Sequence, residues 1–175
     1  MSIQKTSVSK LCSFYVSDWH IVTMLLPYIN KQINNNVKII PILENSIQEN
    51  IQTLVNKLNF KDKEKILNIN WKEIKGLKYS NINNLIKNNK KEELLIIVKG
   101  NKEYIKIVNE NIQRSIEKNK IYKIKIVNCY EVMEFNEGIQ EILDEHDKIL
   151  NTSGEKEINE IFEGYKRNNK IKDAK

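Results

Sequence analysis

Several side chains that could do chemistry stand close together in the stretch K-L-C-S-F-Y-V-S-D-W-H, Lys10 to His20. Cys12, or the distant Cys129, could act as a nucleophile with Asp18 and His20 as its activating partners. A free cysteine between apolar neighbours is more typical of a small core residue. No other catalytic motif surrounds these residues, so the sequence favours no catalytic site. A small enzyme that uses the Cys12/Asp18/His20 region is the alternative.

Metal binding is equally weakly supported by the histidines and cysteines. The two cysteines form no C-x-x-C pair, so the spacing of a structural zinc site is absent. Cys12, His20 and Cys129 could meet only if the strands that carry the cysteines are neighbours. His146 stands in D-E-H-D, which predicts an exposed histidine on an acidic helical surface. We therefore expect no metal site.

The turn after the first predicted strand lacks the glycines of a nucleotide-binding loop. A phosphate-binding loop has the form G-x-x-x-x-G-K-[ST], whereas this chain has Y-V-S-D-W-H-I at Tyr15–Ile21. A G-x-G-x-x-G dinucleotide loop is also missing from the sequence. We therefore expect no cofactor and no hydrolysis of ATP or GTP.

The charge pattern disfavours specific recognition of nucleic acid, although the net charge of the 175-residue chain is +6. Arg114 and Arg167 are its only arginines, and base and phosphate recognition favours the guanidinium group. Lysines alternate with acidic residues, as in Lys61–Lys65, which is typical of a solvated surface. A DNA-associated transcriptional regulator stays as a further alternative. No apolar run is long enough to cross a membrane, so we expect a cytoplasmic protein with reduced thiols.

Apolar runs alternate with amphipathic helical segments along the chain. This order predicts a three-layer α/β fold with a mainly parallel sheet of five or more strands. Residues 1–154 are interpreted as a single domain, followed by a C-terminal helix and charged tail at 155–175, with the helix over Glu155–Tyr165. The strand Glu93–Lys99 is a continuous apolar run and is expected to be central. The predicted strands are Lys10–Val16, Val37–Leu43, Lys65–Trp71, Glu93–Lys99 and Tyr122–Tyr130.

Ligands of open α/β sheets bind at the carboxyl ends of the strands, because the loops there converge at one edge. The first predicted helix begins at such a place, with Ser17 and Asp18 as candidate caps. Trp19 could wall an apolar pocket at this edge or pack in the core. The candidate ligand-binding residues are Tyr15, Asp18, Trp19, His20, Asn101, Cys129 and Tyr130.

Two stretches resemble the MEDS domain, a sensory domain of methanogen and methylotroph regulators. Leu11 to Ile40 is similar to its opening, in which a C-x-x-Y strand runs into a helix with a Pro-Phe/Tyr-Ile motif and then into a second strand. Cys129 to Leu150 is similar to its closing pattern of cysteine, aromatic residues, a helix and a histidine. The resemblance covers residues 9–150 by the order of elements. In the middle the chain has V-K-G-N-K-E-Y at Val98–Tyr104, where the family often has a Gly-rich strand end followed by an acidic residue and Trp. The residues that carry it are Cys12, Tyr15, Pro27, Tyr28, Ile29, Cys129, Phe135 and His146.

This resemblance implies a RecA-like fold that has lost its phosphate-binding loop and works as a sensor. In a RecA-like sheet the strand that ends in Cys129-Tyr130 borders the first strand, which would bring Cys12 and Cys129 near one another. A non-catalytic regulatory protein that binds a small ligand or a partner protein fits this pattern. We expect it to signal by association, through the helices after Asn136, and homodimerisation is one form that association could take.

Overall fold

The computed structural model describes residues 7–75, 78–121, 123–134 and 138–168. Within them, six strands form one sheet in the order β2-β3-β4-β1-β5-β6, and seven α-helices accompany it. The strands are β1 (Ser7–Tyr15), β2 (Lys38–Leu43), β3 (Leu94–Lys99), β4 (Lys123–Glu131), β5 (Lys148–Asn151) and β6 (Gly154–Lys156). The helices are α1 (Asp18–Asn34), α2 (Gln48–Lys57), α3 (Lys63–Leu67), α4 (Tyr79–Lys87), α5 (Lys102–Asn119), α6 (Ile139–Asp144) and α7 (Ile158–Ile161).

The predicted α/β fold with a mainly parallel sheet is confirmed. All strand pairs are parallel except β5 with β6. One face of the sheet packs against α1, α2 and α3, and the other packs against α4, α5 and α6, so two apolar clusters lie on opposite sides of the strands. This is the three-layer arrangement that alternating strands and helices require, since both sheet faces must be covered.

The interior strands are β3, β4, β1 and β5. Every residue of β3 is buried, as its continuous apolar sequence predicts, and it lies between β2 and β4. The nine residues of β1 pair with β4 from Ser7 opposite Lys123 to Tyr15 opposite Glu131. The two cysteine-bearing strands are therefore neighbours, as the RecA-like resemblance implied, and the carboxyl ends of β1 and β4 lie side by side.

One edge of the sheet is β2, and it contains a proline. The backbone amides of Lys38 and Glu44, at the two ends of β2, both donate toward the β3 side. Pro41 is an odd-numbered residue between them, so its nitrogen faces away from β3, where a missing N–H removes no ladder bond. Two residues further on, the Leu43 carbonyl oxygen accepts a hydrogen bond from the Ile74 amide at 2.8 Å.

The strand predicted over Lys65–Trp71 is wrong. Lys63–Leu67 is the short helix α3, and the residues after it are irregular. The Trp71 side chain is buried, and its indole N–H donates to the Ile66 carbonyl oxygen at 2.9 Å. This bond brings Trp71 back to Ile66, five residues earlier, which an extended strand could not do. The packing of the indole therefore outweighs the alternation of apolar residues that predicted a strand.

The C-terminal part also differs from the prediction. The strand β5 was not predicted, and the segment expected to be a helix over Glu155–Tyr165 forms the end of β6 and the four-residue helix α7. Asn136, after which the helices of the expected association surface were placed, lies outside the described residues, as does Phe135 of the family resemblance. His146, expected on an exposed acidic surface, is 1% exposed. The helix α6 ends at Asp144, and the chain then turns inward to β5, which buries His146.

Among the described residues, no helix is both long and apolar enough to cross a membrane.

Candidate functional site

The junction between β1 and α1 is closed by hydrogen bonds of its own side chains. Ser17 is the N-cap of α1 in an extended conformation, and its hydroxyl accepts from the His20 amide at 3.1 Å. The Nδ1 atom of His20 accepts from the Val16 amide at 3.0 Å. Asp18 adds a negative charge in the first turn, which the helix dipole favours. In a phosphate-binding loop the backbone amides at this place would donate to the ligand. Here the amides of Val16 and His20 donate to side chains of the protein.

A buried lysine reaches this junction from β3. Lys99 is 3% exposed, and its Nζ lies 3.2 Å from Oδ1 of Asp18, whose side chain is half exposed. The same Nζ lies 5.3 Å from the centroid of the Tyr15 ring. Burial of an ammonium group is costly unless it is paired, and here the pairing is with a carboxylate that still reaches water. The pair occupies the place between the strand ends where a ligand of an open sheet would bind.

Burial keeps both thiols protonated. Burial raises the pKa of Cys129 to about 12, although the nearby Lys99 ammonium acts in the opposite direction. Burial also raises the pKa of Cys12 to about 12, and its Sγ lies 3.8 Å from the Lys148 carbonyl oxygen. Nucleophilic attack and metal binding both need the thiolate, so this environment works against either role.

Asn101 has the capping role that its sequence position indicates. Its side-chain oxygen accepts a hydrogen bond from the Tyr104 backbone amide at 2.8 Å, and its own backbone amide donates to Oε1 of Glu44 at 3.3 Å. Gly100 permits this close approach of two loops, because a Cβ there would lie 3.1 Å from the Glu44 Cβ and closer still to the Tyr104 ring. Asn101 thus fixes the start of α5 beside the end of β2.

The candidate residues fall on two faces of the sheet. Tyr15 and Cys129 belong to the apolar cluster under α1, whereas Tyr130 and Cys12 belong to the cluster under α5 and α6. Adjacent residues of a strand point to opposite faces, so Cys12 and Cys129 lie on neighbouring strands with their side chains on different sides of the sheet. The structure brings Tyr15 and Asp18 together around Lys99 and leaves Tyr130 on the other side.

Trp19 is neither core nor part of an enclosed pocket wall, since it is 50% exposed. Val16 and Trp19 follow the end of β1, and Val132 and Met133 follow the end of the neighbouring β4. All four side chains are exposed, and Met133 is 79% exposed. We call Val16, Trp19, Val132 and Met133 the edge patch. Large exposed apolar side chains at one corner are typical of a protein interaction surface.

Some polar residues of interest were not predicted from the sequence. Asn128 is buried in β4, where its side chain bonds to Asn109 of α5 and to Nε2 of His146. An asparagine inside the apolar run I-V-N-C-Y is a signal that could have pointed to this network, because buried polar groups need partners. Lys99 carried a similar signal, as a charge that ends a fully apolar strand. Within the described ranges, no three His, Cys, Asp or Glu side chains are grouped as a metal site would require.

No protein-family model matches this chain, and no curated protein matches it closely enough to count as a relative.

Proposed function

We propose that this protein is a cytoplasmic, non-catalytic regulatory module of the MEDS sensory type, and that it signals by binding a partner protein at the edge patch. The observation that carries the proposal is the exposure of Trp19 and Met133 at the joined ends of β1 and β4. Tryptophan and methionine are enriched in protein interfaces, and tryptophan is a frequent hot spot of binding energy.

The neighbouring salt bridge supports a binding role rather than a nucleotide-dependent one. The turn from Tyr15 to Ile21 has no glycine, and Asp18 places a carboxylate where a phosphate would carry its own negative charge. The Lys99 ammonium is already paired with that carboxylate. A phosphate group that bound to Lys99 would have to displace the Asp18 carboxylate and overcome its negative charge. This disfavours a nucleotide site at the junction.

The chemistry of the partner follows from the charges beside the edge patch. Asp18 and Glu131 flank the patch, although the net charge of the whole chain is +6. A partner surface with apolar side chains and a basic rim would complement this corner. The helices after position 136 are a weaker choice for the surface, because Ile142, Leu143 and Ile158 are buried in the core.

The test compares proteins recovered with tagged variants from extracts of the source cells. Trp19→Ser and Met133→Ser should lose a stoichiometric partner that the wild type retains, because each removes a large apolar contact. The matched control is Leu58→Ser, which removes an exposed apolar side chain at the end of α2. Quantitative mass spectrometry of the recovered proteins measures the loss.

A partner lost equally from all three variants would contradict the proposal, as would one retained by all of them. The recovered partner, once purified, should also shift the emission of Trp19. The second tryptophan, Trp71, is buried and provides an internal reference in the Trp19→Phe variant. An unchanged spectrum on binding of the purified partner would place the contact elsewhere.

A further inference from the structure

A groove lies on the opposite face of the sheet from the Lys99–Asp18 pair, between α5 and α6. Its volume is about 620 Å³, within the range of small-molecule sites. The floor is formed by alternate residues of β4, which point to the same face: Ile126, Asn128 and Tyr130. Ile105 of α5 and Ile142 of α6 complete an apolar surface around the single buried amide of Asn128.

The groove is shaped by side chains that are held in place. The Tyr130 ring stacks on Phe14 with centroids 6.0 Å apart and meets the His146 ring edge-on at 5.9 Å. His146 is fixed in turn, since its Nδ1 lies 2.5 Å from the Ile142 carbonyl oxygen and donates to it as the neutral tautomer. A preformed floor loses little conformational freedom when a ligand binds.

The two asparagines on the groove wall and floor have used their donors and kept acceptor capacity. Asn109 donates both amide hydrogens, to the Ile105 carbonyl oxygen and to Oδ1 of Asn128, each at 2.8 Å. Asn128 likewise donates to Oδ1 of Asn109 at 3.1 Å and to Nε2 of His146 at 3.0 Å. Each amide oxygen can accept two hydrogen bonds, and the bonds above use one on each. The pair therefore offers acceptors, and no donor, to a ligand.

The charged side chains around the groove cancel. Four cationic residues, Lys10, Lys102, Lys106 and Arg114, line it together with four glutamates. The rim therefore has no net charge that would favour an anion such as a phosphate or a carboxylate. Apolar floor, amide acceptors and a balanced rim are together suited to an uncharged ligand with N–H donors.

We propose that this groove binds an uncharged planar molecule, an aromatic amide or nitrogen heterocycle, which packs on Ile126 and Tyr130 and donates N–H groups to the side-chain oxygens of Asn109 and Asn128. This site is separate from the edge patch and does not depend on the partner proposed there. The groove would give the protein a small-molecule binding site in addition to the proposed protein-binding surface.

Three probes of nearly the same shape test the proposal with the full chain. Nicotinamide carries the N–H donors, 3-acetylpyridine has a methyl group in place of the amino group and so lacks them, and nicotinate replaces them with a negative charge. In NMR titrations, nicotinamide should shift the side-chain amide signals of Asn109 and Asn128 and saturate. The other two probes should bind at least about fivefold more weakly, because each loses about one hydrogen bond or more.

Two variants locate the binding. Asn109→Ala removes an acceptor from a half-buried position, and Gln113→Trp adds a bulky side chain to an exposed groove position of α5. Both should weaken nicotinamide binding at least about fivefold, whereas Gln52→Trp, on the exposed side of α2, should leave it unchanged. The absence of saturable nicotinamide binding, equal affinity for the three probes, or unchanged binding in both groove variants would each overturn the proposal.

Discussion

The Lys99–Asp18 pair and the Asn109–Asn128–His146 chain are two buried polar arrangements on opposite faces of one sheet, and they are built differently. The first is ionic, and its carboxylate remains half exposed to water. The second is neutral, with Asn128 and His146 almost completely buried. Burial lowers the pKa of His146 to about 4, so the imidazole carries no charge near neutral pH.

The difference teaches where this fold tolerates charge. An ammonium group is accepted at the carboxyl edge because its partner is solvated and adjustable. In the middle of β4 the buried polar groups are uncharged and hold one another by reciprocal hydrogen bonds, since a buried polar atom without a partner is costly. The ionic pair at the edge can therefore rearrange if a partner binds there as proposed, whereas the side chains of the groove floor are held in place. The variants below separate these two properties.

The largest expected effect is on the neutral chain. Asn128→Leu keeps the number and branching of the side-chain heavy atoms but leaves Asn109 and His146 without their shared partner. The free energy of unfolding should fall by about 2–3 kcal/mol. Urea denaturation followed by circular dichroism measures it, and Asn84→Leu on the exposed face of α4 is the control, with an expected change within about 0.5 kcal/mol. A loss below about 1 kcal/mol for Asn128→Leu would mean that the chain does not hold the floor.

The second effect is the pH dependence that His146 produces. Its folded pKa of about 4 is below the unfolded value of about 6.5, so the unfolded state binds more protons between these values. The stabilisation is therefore present above pH 6.5 and is lost as the pH falls toward 4. Between pH 7 and 5 the free energy of unfolding should decrease by about 2 kcal/mol more in the wild type than in His146→Asn. Any contribution of His20 is the same in both proteins and cancels in the difference. If the stability of the wild type and of His146→Asn changed in parallel with pH, the neutral, buried state of the His146 imidazole would be refuted.

The smallest effect is an asymmetry within the ionic pair. Asp18→Asn leaves the buried Lys99 ammonium without its counter-charge and should destabilise the protein by about 1–2 kcal/mol, a value reduced by the exposure of Asp18. Lys99→Met removes the buried charge and leaves a carboxylate that water can solvate. It should change the stability by less than about 1 kcal/mol. Chemical denaturation of the two variants and of the double variant measures the coupling. The opposite ranking would show that Asp18, rather than Lys99, depends on the pair.

Much of the fold was predictable because three of its four interior strands, β1, β3 and β4, have apolar sequences that indicate a strand, whereas the interior strand β5 was not predicted. The all-apolar run of β3 and the capping residues Ser17 and Asn101 are local signals, and each has the structural role that it indicates. The wrong strand at Lys65–Trp71 had a local signal too. The conformation of this segment is decided instead by a tertiary contact, the burial of the Trp71 indole against α1, α2 and α3.

The candidate site was less predictable, because strand order and side-chain face decide it. The sequence places Tyr15 and Tyr130 near the carboxyl ends of two neighbouring strands. Because successive residues of a strand point to opposite faces, the register of the two strands puts Tyr15 on one face of the sheet and Tyr130 on the other. The burial of His146 depends on β5, which is four residues long and has little periodicity of its own. The groove follows from the short length of α6, which leaves part of β4 uncovered beside α5.

The outward-facing proline of β2 has a consequence for how copies of the chain can meet. An unprotected edge strand is a template on which further strands add one after another, the route to fibrils. Pro41 removes the donor that such templating needs, and the Ile74 amide already uses the carbonyl oxygen of Leu43. At the other edge, β6 offers three residues. Growth by strand addition is thus discouraged at both edges of the sheet, which leaves side-chain contacts, such as those proposed for the edge patch, as the route by which this chain would associate.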